Sequence, residues 1–342
     1  MYESFFQLTK APFSLVSDPG CIHVTPKVRD VLRTLVYGVL ERRGCLALIA
    51  DPGLGKTTLL RSLGDFLIDS NAQSSTILTP TVSPSEFLEL LMLNFGIEEI
   101  PDSKARRLRI LEKFLIEADE RDVVSALIVD EAHKLGDELL EEIRLLGNFE
   151  SGNRKLLQIV LAGQSELNDR LSRPDLWQFK QRISARLTLT PLDRQSVADY
   201  VRFRWAEAGE SPLPFNDSAM RAIAAWSSGV PRMINIICHN ALQMAHSQNR
   251  KTVDHGMIEE ASLELALPVP IFDSDFADAD TAVQSNDEPL NAPSVESSVD
   301  LESTGHRWAS FWRGSHREES PQPARRRRPG LSILPSLEDP AE

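Results

Sequence analysis

The chain is poor in several things, and each shortage narrows the field. Its 342 residues hold only three cysteines, Cys21, Cys45 and Cys238. Few, scattered and odd in number, they supply neither a disulfide framework nor metal-ligand spacing, which points to packing roles in a reducing compartment. Long apolar runs are missing too, with no uninterrupted stretch near the roughly 20 residues that span a bilayer. Met1-Tyr2-Glu3-Ser4-Phe5 lacks the basic and apolar regions of a secretory leader, so a cytoplasmic protein is expected. Positive charge is short as well. There are 37 Lys and Arg against 50 Asp and Glu, a net charge of −13, which disfavours indiscriminate nucleic-acid binding but leaves room for a local basic face. The apolar content of 42% and charged content of 25% are those of an ordinary globular protein, and the length suits about two or three domains.

Against that background one stretch stands out: Ala50-Asp51-Pro52-Gly53-Leu54-Gly55-Lys56-Thr57-Thr58. It follows the apolar run Cys45 to Ile49 and opens into a helical pattern through Leu59, Leu60 and Leu63. Strand, glycine-rich loop, Lys-Thr and helix form the pattern of a phosphate-binding loop. Gly53 and Gly55 allow a tight turn that aims backbone N–H groups at phosphate oxygens, at a helix start whose dipole favours an anion. Lys56 can reach the β- and γ-phosphates, and the Thr57 hydroxyl suits Mg²⁺. The first glycine of the usual G-x-x-x-x-G-K-[ST] is Ala50 here, small enough for a strand exit.

Helical spacing predicts an amphipathic helix from Pro26 to Glu41, with Val28, Val31, Leu32, Leu35 and Val36 on one side. It either caps the core or covers an adenine base, and periodicity alone does not separate the two. Beyond the loop, Ser75 to Thr79 reads as a strand, and Pro84 to Phe95 and Lys104 to Ala118 as helices. Val123 to Val129 and Leu156 to Ala162 read as buried strands. Strands separated by helical patterns imply βαβ units and a parallel sheet, whose ligands sit at the carboxyl ends of the strands. Lys56, Asp130, Glu131 and Gln164 all fall there. Asp130 can hold Mg²⁺ and Glu131 can orient the water that attacks a γ-phosphate. The plainer alternative is a solvated helix start, where acidic residues are common. His133 reads as a surface residue of the next turn, and Asp137 to Phe149 as a core helix.

Arg182 and Arg186 stand just before and within a strand expected over Ala185 to Leu189. Each is either a surface cation or an arginine finger offered to a neighbouring subunit, a device worth on the order of 10³ to 10⁵ in rate. Helices follow at Arg194 to Ala208, Asp217 to Ser227, Pro231 to Asn249 and Asp254 to Leu267. Arg232 sits in the first turn behind Pro231, where a cation is unfavourable unless it serves an anion. From residue 268 onward there are 14 acidic and seven basic residues. The acidic, Ser- and Pro-rich character of that stretch predicts disorder. Within it, Trp308, Phe311 and Trp312 precede Arg325 to Arg328, either incidental to a solvated tail or a short motif for a partner or an anionic membrane.

These features together resemble the AAA+ ATPases, and more narrowly the general secretion pathway protein A, or ExeA, type, within the wider group of origin-recognition and transposition ATPases. The narrower likeness rests on Phe5-Phe6, Pro12-Phe13 and Asp18-Pro19; on Ile128 to Ala132; on Leu156 to Gln164; and on Gly229-Val230-Pro231-Arg232 with Ile234-Asn235. It covers about residues 1 to 265. The resemblance implies an α/β P-loop NTPase with a five-stranded parallel sheet and a C-terminal helical lid. The expected division is an N-terminal segment at 1–44 near the nucleotide, an ATPase core at 45–210, a lid at 211–267 and a tail at 268–342. It implies ATP and Mg²⁺ bound between subunits of a homo-oligomer, with Lys56 and Thr57 as Walker A and Asp130 and Glu131 as Walker B. Gln164 becomes sensor 1, Arg232 sensor 2, and Arg182 the arginine finger, with Arg186 second. Secretion ATPases of this type often continue into a membrane span and a peptidoglycan-binding domain, and neither is evident here. The expected function is an ATPase that assembles or remodels a secretion, pilus or exopolysaccharide system through an envelope-assembly partner, in the cytoplasm or at the inner face of the membrane through the tail. The alternatives are a DNA-associated regulator of transposition or replication type and a nucleotide-binding scaffold. The presence of Glu131 argues against the last.

Overall fold

The computed structural model describes residues 2–15, 23–78 and 81–270. These lie in one compact unit, Met1–Phe276; the second unit, Ala277–Glu342, is outside the described residues. So are Asp18, Pro19, Cys21, Thr79 and the tail features from Asp273 to Arg328. Among the described residues no helix is long and apolar enough to cross a membrane.

After a short aromatic helix, α1 (Tyr2–Phe5), the chain enters α2 (Pro26–Leu40). The Thr25 side chain caps α2 by accepting from the Val28 amide, and Pro26 occupies its first turn. Then come β1 (Cys45–Ala50), α3 (Lys56–Asp69), β2 (Ala72–Ile77), α4 (Pro84–Asn94), α5 (Lys104–Glu120) and β3 (Val124–Val129). α6 (Asp137–Leu146) leads through a small hairpin of β4 (Glu150–Ser151) and β5 (Arg154–Lys155) into β6 (Leu157–Gly163). α7 (Ser165–Leu171), α8 (Trp177–Lys180) and β7 (Ile183–Leu189) complete the α/β body.

The main sheet has five parallel strands in the order β2-β3-β6-β1-β7. β3 and β6 are buried along their whole length, as unbroken aliphatic runs require when helices cover both faces. The strand expected at Ser75 to Thr79 lies further back, at Ala72–Ile77. Its polar Ala-Gln-Ser-Ser-Thr sequence carries no strand alternation, yet it pairs Ala72 with Val124 through Ile77 with Val129, and Gln73 donates to Ser125 Oγ at 2.8 Å. An edge strand tolerates this polarity because one of its sides is not covered by another strand.

The last helices, α9 (Arg194–Ala206), α10 (Asp217–Ser227), α11 (Pro231–Ser247) and α12 (His255–Glu264), share a separate hydrophobic core. α9 packs there, with the helices beyond residue 211 rather than with the sheet. So does the N-terminus. Tyr2, Phe6, Leu8 and Phe13 are buried in it: Phe6 stands edge-on to Trp205 and Phe13 edge-on to Phe215, with centroids 5.8 and 5.9 Å apart. The Tyr2 hydroxyl lies 3.0 Å from His239 Nδ1, and buried Arg204 donates to the Pro12 carbonyl at 2.7 Å. Residues 2–13 thus belong to the helical module, while Ser14, Leu15, His23 and Val28 run beside the loop at 51–55.

Candidate functional site

Because β6 lies between β3 and β1, the carboxyl ends of these three strands are adjacent, with Ile49 level with Gly163 and Val129 level with Leu161. The loop at 51–55, the pair Asp130-Glu131 and Gln164 therefore emerge side by side. They open into a cavity of about 520 Å³ that every residue from Asp51 to Thr58 lines, together with Glu131, Gln164 and Arg232.

Local sequence sets the loop. Gly55 caps α3 in a left-handed conformation (φ +90°), and no side chain caps the helix, so its first amides are available to an anion. Gly53 (φ +85°) is needed for a second reason. A Cβ there would lie 2.9 Å from Arg232 Cβ and 3.0 Å from Val230 Cγ1, and its carbonyl accepts from the Arg232 amide at 3.2 Å. The loop and the start of α11 are in direct backbone contact, and the Arg232 side chain is exposed at the cavity.

Lys56, in the first turn of α3, is only 7% exposed, and its Nζ lies 3.1 Å from Glu131 Oε1 and 3.6 Å from Asp130 Oδ1. Thr57 donates its hydroxyl to Asp130 Oδ2 at 2.7 Å. Asp130, 2% exposed, also accepts the Glu131 amide on Oδ1 at 2.8 Å. Glu131 takes a left-handed backbone (φ +52°), and its Oε2 is 3.0 Å from Lys134 Nζ and 3.6 Å from His133 Nε2. Burial works against its charge, but Lys134 and Lys56 outweigh it and hold the carboxyl below its ordinary range. Glu131 is thus an anion at neutral pH. A hydroxyl and a buried carboxylate in contact are hard oxygen donors, so Thr57 and Asp130 fit a Mg²⁺ ion carried with phosphates.

His133 is a correction to the sequence reading. Its side chain is only 12% exposed and lies between Glu131 and Gln164, whose amide is 3.5 Å from Nδ1. Tyr200 and Arg204, which sequence reasoning did not single out, also line the cavity, as does Asn235, which the sequence offers only as part of the family pattern. The Tyr200 hydroxyl donates to Asn235 Oδ1 at 3.0 Å, and Asn235 Nδ2 donates to the Ser14 carbonyl at 3.5 Å. His23 packs on Tyr200 and Phe203, and burial lowers its pKa against the pull of Asp199.

Arg182 and Arg186 are not among the residues lining this cavity. Arg182 donates to the Arg144 carbonyl at 3.0 Å and to Asn148 Oδ1, serving the C-terminal end of α6. Arg186 is exposed on edge strand β7 and donates to Asn168 Oδ1 at 2.9 Å.

A family model described as an AAA domain matches residues 39–171. General secretion pathway protein A of Aeromonas hydrophila is 36% identical over 273 residues, which cover 78% of this chain and 49% of that protein. The chain thus spans about half the length of this relative. The ATP-dependent target DNA activator B of Escherichia phage Mu is 27% identical over 255 residues, 72% of this chain and 74% of that one. Cdc6p from Pyrobaculum aerophilum shares the fold with a TM-score of 0.59 at 19% identity, over 75% of this chain and 71% of that one.

Proposed function

We propose, on the premise that this chain carries an AAA domain over residues 39–171, that it hydrolyses ATP with Mg²⁺ between subunits of a homo-oligomer. The observation that carries this reading is the contact of Thr57 with Asp130 and of Lys56 with Glu131 at the ends of β1 and β3. Lys56 binds the terminal phosphates and leaves its carboxylate partners to do so, since a triphosphate is the stronger anion. Glu131, ionised, orients and polarises the attacking water, and Gln164 hydrogen-bonds the γ-phosphate. Thr57 and Asp130 would hold the Mg²⁺, which would supply charge neutralisation at the phosphates. Arg232 brings a cation from the helical module, and its backbone contact with Gly53 links module position to loop occupancy. Arg182, with Arg186 as second candidate, completes the site of a neighbouring subunit.

The work driven is assembly or remodelling of a secretion, pilus or exopolysaccharide system in the cytoplasm, with the tail offering a contact to a partner or to the inner membrane face. The likeness to general secretion pathway protein A supports this reading. The likeness to the phage Mu DNA activator supports a second one, a DNA-associated regulator of transposition or replication type. Steady-state ATP hydrolysis measured with and without duplex DNA, over a salt series, separates them. Turnover indifferent to DNA fits the first reading; stimulation that falls steeply as salt rises fits the second and overturns the first. No hydrolysis under any condition would remove both.

A further inference from the structure

The turn that carries Glu131 is tied to the neighbouring strand end by groups to which the proposed chemistry gives no role. Arg170, on α7, donates to the His133 carbonyl at 2.9 Å and to the Leu135 carbonyl, and pairs with Asp137 at 2.6 Å. β6 presses against the same turn, since a Cβ on Gly163 would lie 3.2 Å from the His133 amide nitrogen. The His133 ring closes the remaining gap, with Nδ1 3.5 Å from the Gln164 amide and Nε2 3.6 Å from Glu131 Oε2. An amide can only donate, so Nδ1 is the acceptor in this contact, and Nε2 is the ring nitrogen that faces the carboxylate.

Glu131 has three such neighbours, and they are not equivalent. Lys56 faces the phosphates and is drawn to them. Lys134 is half exposed on a flexible stem. His133 is enclosed, short and rigid. We propose that His133 is a positioning residue, which ties the Glu131 carboxylate to the Gln164 amide so that the water-orienting group and the γ-phosphate-facing strand end move as one unit. The inference rests on the reading of Glu131 as the water-orienting carboxylate.

The test uses the full chain and compares ATP turnover, equilibrium binding of a fluorescent ATP analogue and thermal melting. The variants are His133→Ala, His133→Gln, His133→Asn, Glu131→Gln and the double variant His133→Ala/Glu131→Gln. His133→Ala should lower kcat on the order of 10- to 100-fold, the scale of a misplaced catalytic group. Its KM and analogue affinity should stay within about two-fold of wild type, because the contact is not with the ground-state nucleotide. Gln can place an amide nitrogen where Nε2 sits, whereas Asn reproduces only the Nδ1 side; His133→Gln should therefore regain turnover that His133→Asn does not. The double variant should be no slower than Glu131→Gln, since His133 acts through Glu131. Wild-type kcat in His133→Ala, a full additional loss in the double variant, or Asn performing as well as Gln would each overturn the proposal. If His133→Ala melts well below wild type, the ranking of Gln over Asn decides. Glu131→Gln keeps the two levels apart: if it is inactive while His133→Ala turns over normally, only the role of His133 falls, whereas wild-type turnover in Glu131→Gln removes the reading beneath it.

Discussion

Replacing Gly229 by alanine should do far more damage than its size suggests. Gly229 precedes the Val230–Arg232 turn that touches the loop at Gly53, and it has φ +72°, which strains an L-residue by ~1 to 2 kcal/mol. The added methyl would lie 2.0 Å from the Leu192 carbonyl oxygen, 2.9 Å from its nitrogen and 3.0 Å from its carbonyl carbon. These are backbone atoms, so relief requires moving one segment by about the overlap, with an overpacking cost of ~1 to 3 kcal/mol. That shift also breaks the 2.9 Å bond from the Leu192 amide to the Gly229 carbonyl, a net ~0.5 to 1.5 kcal/mol. Together these give a loss of about 2.5 to 6.5 kcal/mol, a large fraction of a typical folding free energy. Urea unfolding followed by tryptophan fluorescence measures it, with buried Trp205 and Trp226 reporting from the helical core. Gly152→Ala is the comparator, because Gly152 has φ +60° but no atom within 4 Å of a built Cβ and so carries the conformational cost alone. A Gly229→Ala loss no larger than that of Gly152→Ala would refute the backbone clash at Leu192 as its cause.

Two further outcomes follow from groups outside the cavity. Asp254 caps α12 through the Met257 amide at 3.1 Å and pairs with Arg250 at 2.6 Å; Arg250 first, then the amide, hold its carboxyl below the ordinary range. A depressed carboxyl stabilises above the unfolded-chain pKa of about 3.9 and loses that contribution as pH falls through the folded value. Asp254→Ala should therefore cost about 1 kcal/mol at neutral pH, and the deficit should shrink in acid; melting curves from pH 7 to 3 with an unchanged deficit would contradict this. Arg182→Ala should lower turnover while leaving nucleotide binding intact, and lower the melting temperature because the end of α6 loses its donor. Mixing it with Lys56→Ala should restore part of the activity if the guanidinium acts in a neighbour's site. No recovery at any ratio would confine Arg182 to its role on α6.

The parts of the site that sequence made legible are local ones. Gly53, Gly55, Lys56 and Thr57 form one continuous pattern after an apolar strand, and Asp130 and Gln164 follow apolar runs that could only be buried strands. What was not legible depends on distant packing. The N-terminal aromatics look like a generic apolar start, yet Phe6 and Phe13 find their partners about 200 residues later in Trp205 and Phe215. The close approach of Gly53 to Val230 and Arg232 has no sequence signature, because nothing in a glycine announces what will press on it. Sequence places His133 on the surface of the turn after the strand; it is enclosed here because β6 ends beside that turn. β2 lies earlier in the chain than sequence places it because its polar residues carry no strand periodicity.

The central claim is that the pocket is hydrolytic, with Glu131 as its water-orienting base, and Glu131→Gln tests it most directly. Equilibrium nucleotide binding and single-turnover hydrolysis should be measured on the same preparation as wild type. The variant should bind ATP with wild-type affinity and hydrolyse it about 10²- to 10⁴-fold more slowly, the usual contribution of a general base. Hydrolysis at the wild-type rate with binding intact would contradict the account.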